Sequence, residues 1–179
     1  MNMLTENLSL YLGTFMAWGF LMAFLLNLFF RCISVKTDNL LVAASFFISM
    51  SYLIGDHFHQ LFDFAETYLK WFFYDVITIG LILFVHILTR SKASPGVVYV
   101  YVGLYFNAFL FLSMFIDIVL IENKERWFLW WVYEVGVNIS DFCMIVALII
   151  DRDFLGVIKV YRRAAKFLLG ERSEKLEHP

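Results

Sequence analysis

Apolar residues in this chain come in long runs, without the two-faced pattern of a water-soluble core. Five runs stand out, at residues 8–30, 39–61, 71–89, 97–121 and 127–150. A helix needs about 20 apolar residues to cross a hydrocarbon layer of roughly 30 Å, and each run is close to that length or longer. The polar segments between them are short, so consecutive helices are expected to pack antiparallel. The pattern predicts an all-α polytopic membrane protein, a five-helix transmembrane bundle over residues 1–153. Thr37 or Asp38 is placed to cap the second helix, and Ser94 with Pro95 to open the fourth. Asp56, His57 and His59 crowd the end of the second run. No Pro or Gly separates Asp56 from Trp71, which leaves that helix free to extend past the membrane surface. The first run is too long for a signal-peptide core and has no basic residue before it, so it reads as a retained span.

Residues 154–179 follow a different pattern. Phe154, Val157, Ile158, Tyr161, Ala165 and Leu168 recur at helical spacing, while Lys159, Arg162, Arg163 and Lys166 share another face. This predicts a C-terminal basic amphipathic helix lying on an anionic inner leaflet, or docked on a cytosolic protein partner. The last residues, 171–179, are polar and expected to be loose.

Composition strengthens the membrane reading. The chain is 61% hydrophobic and 17% charged, where a soluble domain is nearer half apolar and a quarter charged. No basic patch interleaved with aromatics points to nucleic acid. Cys32 and Cys143 sit in or beside separate apolar runs and do not read as a disulfide framework.

The net charge of -2 hides a segregation of signs that fixes an expected orientation. Arg31 and Lys36 lie in the first connection, Arg90 and Lys92 in the third, and five further basic residues between 152 and 166. The second connection is acidic, with Asp56, Asp63 and Glu66, and the fourth is balanced. Lys/Arg-rich loops stay in the cytoplasm, which predicts an outside N-terminus and a cytoplasmic C-terminus in a bacterial inner or plasma membrane. Aromatics at 71–74 and 127–133 would then sit at the outer interface.

Candidate chemistry comes from polar groups within the apolar runs. Asp75, Asp117 and Glu134 interrupt three different spans at similar depth, and Asp56 falls near the same level. A carboxylate near the bilayer centre costs a few kcal/mol on insertion scales, so it calls for a partner or a purpose. Glu134, Asn138 and Asp141 share one face of the fifth helix, and Asp75 and His86 one face of the third. Ser45, Ser49, Tyr52, Asp56, His59 and Asp63 form a stripe on the second. From outside to inside, the expected order is a carboxylate cluster, the amides Asn107 and Asn138, then an Asp141/His86 pair.

Three readings follow. In the first, Asp56, Asp75, His86, Asp117, Glu134, Asn138 and Asp141 form a cation or proton track, with the protein acting as a homo-oligomer. In the second, the same groups hold helices together, the reading given to Asn27, Asn107, Asn138 and the serines. The protein is then a membrane-embedded sensor, scaffold or effector subunit, and its basic tail recruits a cytosolic partner. In the third, His57, His59 and Asp63, with Asp56 and Glu66, hold a metal at the outer surface, although one helix cannot close the shell alone. No nucleophile elbow, phosphate loop, paired CxxC or HExxH helix is present, so no enzyme activity and no cofactor are expected.

Overall fold

The computed structural model describes residues 3–36, 38–57, 66–123 and 125–159, with side chains for 11–36, 38–55, 67–123 and 125–159. Five helices account for most of this: α1 (Met3–Cys32), α2 (Asn39–His57), α3 (Glu66–Thr89), α4 (Pro95–Phe115) and α5 (Phe128–Ile150). The last turn of α4 widens into a π-helical turn, Ile116–Leu120. The described residues contain no strand. Four helical stretches are long and apolar enough to cross a membrane: Tyr11–Cys32, Thr67–Thr89, Pro95–Leu120 and Phe128–Ile150. The apolar part of α2, Asn39–Gly55, is shorter. The remainder of the second apolar run, 58–61, lies outside the described residues, as does the tail beyond 159.

Each helix packs against its neighbours in sequence, and α1 also packs against α5, so the five close into a ring. A further contact between α2 and α4 crosses its interior. The sidedness of α1 shows why the ring needs lipid. Tyr11, Phe15, Trp18, Met22 and Phe29 form an exposed apolar stripe, with Tyr11 70% and Trp18 57% exposed. Met16, Phe20, Ala23 and Asn27 occupy the opposite, buried face. Large apolar side chains point outward on α3, α4 and α5 as well, among them Phe84, Tyr105, Phe109 and Trp131. Apolar patches of this extent do not face water in a stable monomer, and the location is integral to a membrane.

The interior is built from Phe20, Leu41, Ile48, Ile82, Val100, Leu104, Met144 and Leu148. Two glycines let α4 approach α5 closely. A side chain at Gly96 would meet the carbonyl oxygen of Ala147 at 2.9 Å, and one at Gly103 would overlap the Met144 thioether. Small residues that bring backbones together are the usual means of helix association where lipid removes the hydrophobic drive.

The helix ends are fastened by side chains. Asp38 Oδ1 accepts from the amides of Leu40 (2.9 Å) and Leu41 (3.2 Å), capping α2. Ser94 occupies the N-cap position of α4 with Pro95 following, yet its hydroxyl makes no capping bond. Asp151 Oδ1 takes that role, accepting from the Gly96 amide at 3.0 Å. Asn27 Nδ2 donates to the Leu148 carbonyl at 3.0 Å, joining α1 to α5 near the same end.

Candidate functional site

Three polar side chains from three helices are hydrogen-bonded in the bundle interior, Tyr52 of α2, Asn107 of α4 and Asp141 of α5, and the buried Asp75 of α3 lies within electrostatic range of Tyr52 and Asp141. Helix geometry explains the meeting. Tyr52 lies thirteen residues into α2 and Asn107 twelve into α4, about 18–20 Å from the end where both helices begin. Asp75 lies nine residues into α3 and Asp141 thirteen into α5, about 14–20 Å from the opposite end. The alternation of helix direction therefore brings all four to one level. The ring of Phe20 on α1 packs against the Tyr52 ring at 4.4 Å between centroids, so α1 supports the group as well.

The hydrogen bonding is lopsided. Asp141 Oδ1 accepts from the Tyr52 hydroxyl at 2.5 Å and from Asn107 Nδ2 at 2.7 Å. Asn107 Nδ2 also reaches the Tyr52 oxygen at 3.4 Å. These bonds occupy the donors of the group. Asp75, 4% exposed, interacts electrostatically with both Asp141 and Tyr52. Among the described residues no donor reaches its Oδ2 atom, and none reaches Asn107 Oδ1. Two buried oxygens, one of them on a carboxylate, are thus left with lone pairs and no proton to accept. Such atoms are rare in a folded interior and call for an explanation.

Apolar layers bound the centre. Towards the start of α3 and α5, Tyr68, Trp71, Phe111 and Tyr133 form an aromatic cluster, with Tyr68 and Tyr133 edge-to-face at 5.6 Å and Trp71 tilted against Phe111 at 5.4 Å between centroids. Towards the other end lie Ile48, Leu104, Met144 and Ile82, all buried. Ser45, Ser49 and Thr78 are also buried, but their hydroxyls bond to carbonyls of their own helices and add no partner to the centre.

The residues singled out from sequence separate into distinct environments. Asp75 and Asp141, expected at different depths, are brought together. The apolar run of α3 begins at Trp71, but the helix begins at Glu66, which places Asp75 deeper than hydropathy implies. Asp117 does not join them. It is buried in the π-helical turn, where its carboxylate accepts from Trp127 Nε1 (2.9 Å) and Asn123 Nδ2 (3.2 Å) and organises the connection to α5. Glu134 is exposed on α5 and interacts electrostatically with Tyr68 and Tyr133. Asn138 Nδ2 donates to the Glu134 carbonyl at 2.6 Å within the same helix.

His86 stacks on Tyr101, 6.3 Å between centroids, eleven residues along α3 from Asp75 and so about 17 Å from the centre. The side chains of Asp56 and His57 lie outside the described residues, as do His59 and Asp63. Among the described residues no group of three or more His, Cys, Asp or Glu side chains is arranged to hold a metal. Tyr52 and Asn107 were not assigned to the track from sequence. The signal for them was there: Tyr52 lies on the polar stripe of α2, and Asn107 is the lone amide in the fourth apolar run.

Beyond α5 the chain is tied back to the start of α4. Asp151 adopts a left-handed conformation (φ 53°) that ends α5, and its carboxylate caps α4. Tyr99 donates its hydroxyl to Asp153 Oδ1 at 2.8 Å, accepts from the Leu155 amide at 2.8 Å, and stacks on Phe154 at 5.1 Å. Asp153 also receives the amides of Ile158 and Lys159 at 3.4 Å, as an N-cap does. Partial desolvation tends to raise its pKa. The Tyr99 hydroxyl, those two amides and the Lys159 charge outweigh that effect and hold the carboxyl below its usual range. Of the basic tail residues only Lys159 is described; Arg162, Arg163 and Lys166 lie outside.

Comparison with known proteins found no family model, no curated protein and no solved structure that matches this chain.

Proposed function

We propose that this is a five-span membrane protein that moves protons or small cations across the bilayer through the Asp75–Asn107–Asp141–Tyr52 centre. The observation that carries the reading is two carboxylates buried in an apolar bundle, one of them with an oxygen that no donor reaches. A structural tie between helices is served as well by Asn or Gln, without the cost of a charge in lipid. Asp and Glu inside a membrane bundle are the groups that accept and release protons or coordinate ions.

In this reading the exposed Glu134 gathers cations at the aromatic end. Tyr133 interacts electrostatically with both acids, Glu134 and Asp141. All four side chains of the centre come from one chain, so exchange at the centre does not require a second copy. In this reading α2, residues 39–57, is also a span. The N-terminus is then outside and the basic tail faces the cytoplasmic leaflet, a reading that the segregation of loop charge supports.

The test is flux in proteoliposomes under imposed pH and voltage gradients, including acidified and depolarised conditions. Wild-type vesicles are expected to exceed empty ones. Asp141→Asn is expected to reduce flux by at least tenfold, and Glu134→Gln by a smaller factor. Wild-type flux equal to that of empty vesicles, from folded and uniformly oriented protein, would overturn the reading.

One observation favours the second reading, a membrane sensor or scaffold with a cytosolic partner. Residues 151–159 are fastened to α4 through Asp151 on the Gly96 amide and through Asp153 and Leu155 on the Tyr99 hydroxyl, and α4 carries Asn107. A change of charge at the centre could therefore reach the tail through one rigid helix. Tail-dependent capture of a cytosolic protein together with zero flux would favour that function.

A further inference from the structure

The donors and acceptors of the centre say more about what it binds. Its donors are the Tyr52 hydroxyl and the Asn107 amide, and both are engaged with Asp141 or with each other. The atoms left over are acceptors only, Asp75 Oδ2 and Asn107 Oδ1, in residues that are 4% and 0% exposed. The missing component is therefore a donor or a positive charge.

The ligand atoms are hard oxygens throughout. His86 lies against Tyr101, and Cys143 is on α5 away from the buried face that holds Asp141 and Met144. Soft or borderline transition metals favour imidazole and thiolate, which the centre does not offer. Divalent calcium takes six to eight oxygens, and magnesium holds on to its water. Asp141 already accepts two short hydrogen bonds, so the carboxylate oxygen of the centre still open to a cation is Asp75 Oδ2.

From these observations we infer that the centre binds one partly dehydrated monovalent alkali cation between Asp75 Oδ2 and Asn107 Oδ1, with Asp141 and Tyr52 as its second layer. The inference builds on the reading of the centre given above and names its occupant. A proton on Asp75 would neutralise the same charge, so protons compete with the cation for one site. The titratable groups facing Asp75 are Tyr52 from α2 and Asp141 from α5, with Tyr133 of α5 coupled to Asp141. From α4 the neighbour is the neutral Asn107, and α1 contributes the Phe20 ring behind Tyr52.

The experiment is equilibrium binding of radioactive sodium to the purified full-length protein, with choline chloride holding ionic strength constant. Wild-type protein is expected to bind about one sodium ion per chain. Its affinity should fall by up to about tenfold per pH unit once protons occupy Asp75. Saturating sodium should raise Tm by about 2–4 °C over choline. Asp75→Asn and Asn107→Ala should lose both effects, and His86→Ala should keep them.

Absence of saturable sodium binding to folded wild-type protein overturns the inference, and so does an Asp75→Asn variant that binds as wild type does. The two readings fail separately. Proton flux in vesicles without sodium binding would leave transport standing and remove the cation site. Sodium binding without flux of any cation would keep the site and remove transport.

Discussion

Asp141 and Asp117 show how little a residue's type reveals about its role in this bundle. Both are aspartates 4% exposed within apolar helices, and both accept two side-chain hydrogen bonds. The partners of Asp117 belong to the adjacent connection, so its charge is used to fold a loop. The partners of Asp141 come from two other helices, and a second carboxylate interacts with it. The tyrosines divide in the same way, and that division gives a stability prediction. Tyr52→Phe removes one of the two donors to a buried carboxylate and should destabilise the protein by about 1–3 kcal/mol. Tyr101→Phe removes a buried hydroxyl that has no partner among the described residues and should be neutral or stabilising. Denaturant unfolding in one detergent, followed by circular dichroism, compares the pair. Equal losses for the two would contradict the assignment of donors.

At the scale of the helix, apolar run length was enough to place four helices long enough to cross a membrane, because the bilayer sets their minimum length. It misjudged the start of α3, since the turn from Glu66 to Lys70 is polar and still helical. That turn is what carries Asp75 down to the level of Asp141. The π-helical turn at Ile116–Leu120 left no trace in a pattern read at 100° per residue, so Asp117 was grouped with acids it does not meet. Ser94 was expected to cap α4; Asp151, fifty-five residues away, does so. Local sequence cannot reveal a cap supplied by another helix.

Asp151→Ala should therefore weaken the start of α4 by about 0.5–2 kcal/mol, and Ser94→Ala should have little effect. Hydrogen exchange at the Gly96 amide distinguishes them. Asp153 gives the pH prediction. Its pKa is lowered on folding, so its contribution to holding the tail is complete above the ordinary aspartate pKa, about 3.9, and is lost as pH falls through the depressed value. The amides of Ile158 and Lys159 should stay protected from pH 8 down to about pH 5 and lose protection only in stronger acid. Loss of that protection between pH 8 and 5 would mean that another group fastens the tail.

For the whole molecule, the sequence already contained the inverted arrangement of an apolar exterior around polar groups. The long apolar runs and the aligned polar stripes both stated it, and the exposed face of α1 carries it out. Orientation is an expectation from loop charge alone, and labelling tests it. In a Cys32→Ser background, Glu122→Cys should react with an impermeant thiol reagent outside intact cells and Lys92→Cys should not. The reverse pattern would invert the topology and move the aromatic end of the centre to the cytoplasm.

The composition of the centre was not legible, because it depends on the register of four helices at once, and no single run contains that information. Flux through proteoliposomes carrying Asp75→Asn, Asp141→Asn and Asp117→Asn tests the account most directly, because all three remove one buried carboxylate charge from an apolar helix. Asp75→Asn and Asp141→Asn should each lower cation flux by at least tenfold, while Asp117→Asn should stay within about twofold of wild type once corrected for folded protein. Equal losses in all three, or an active Asp141→Asn, would contradict the claim that cations move through the buried centre.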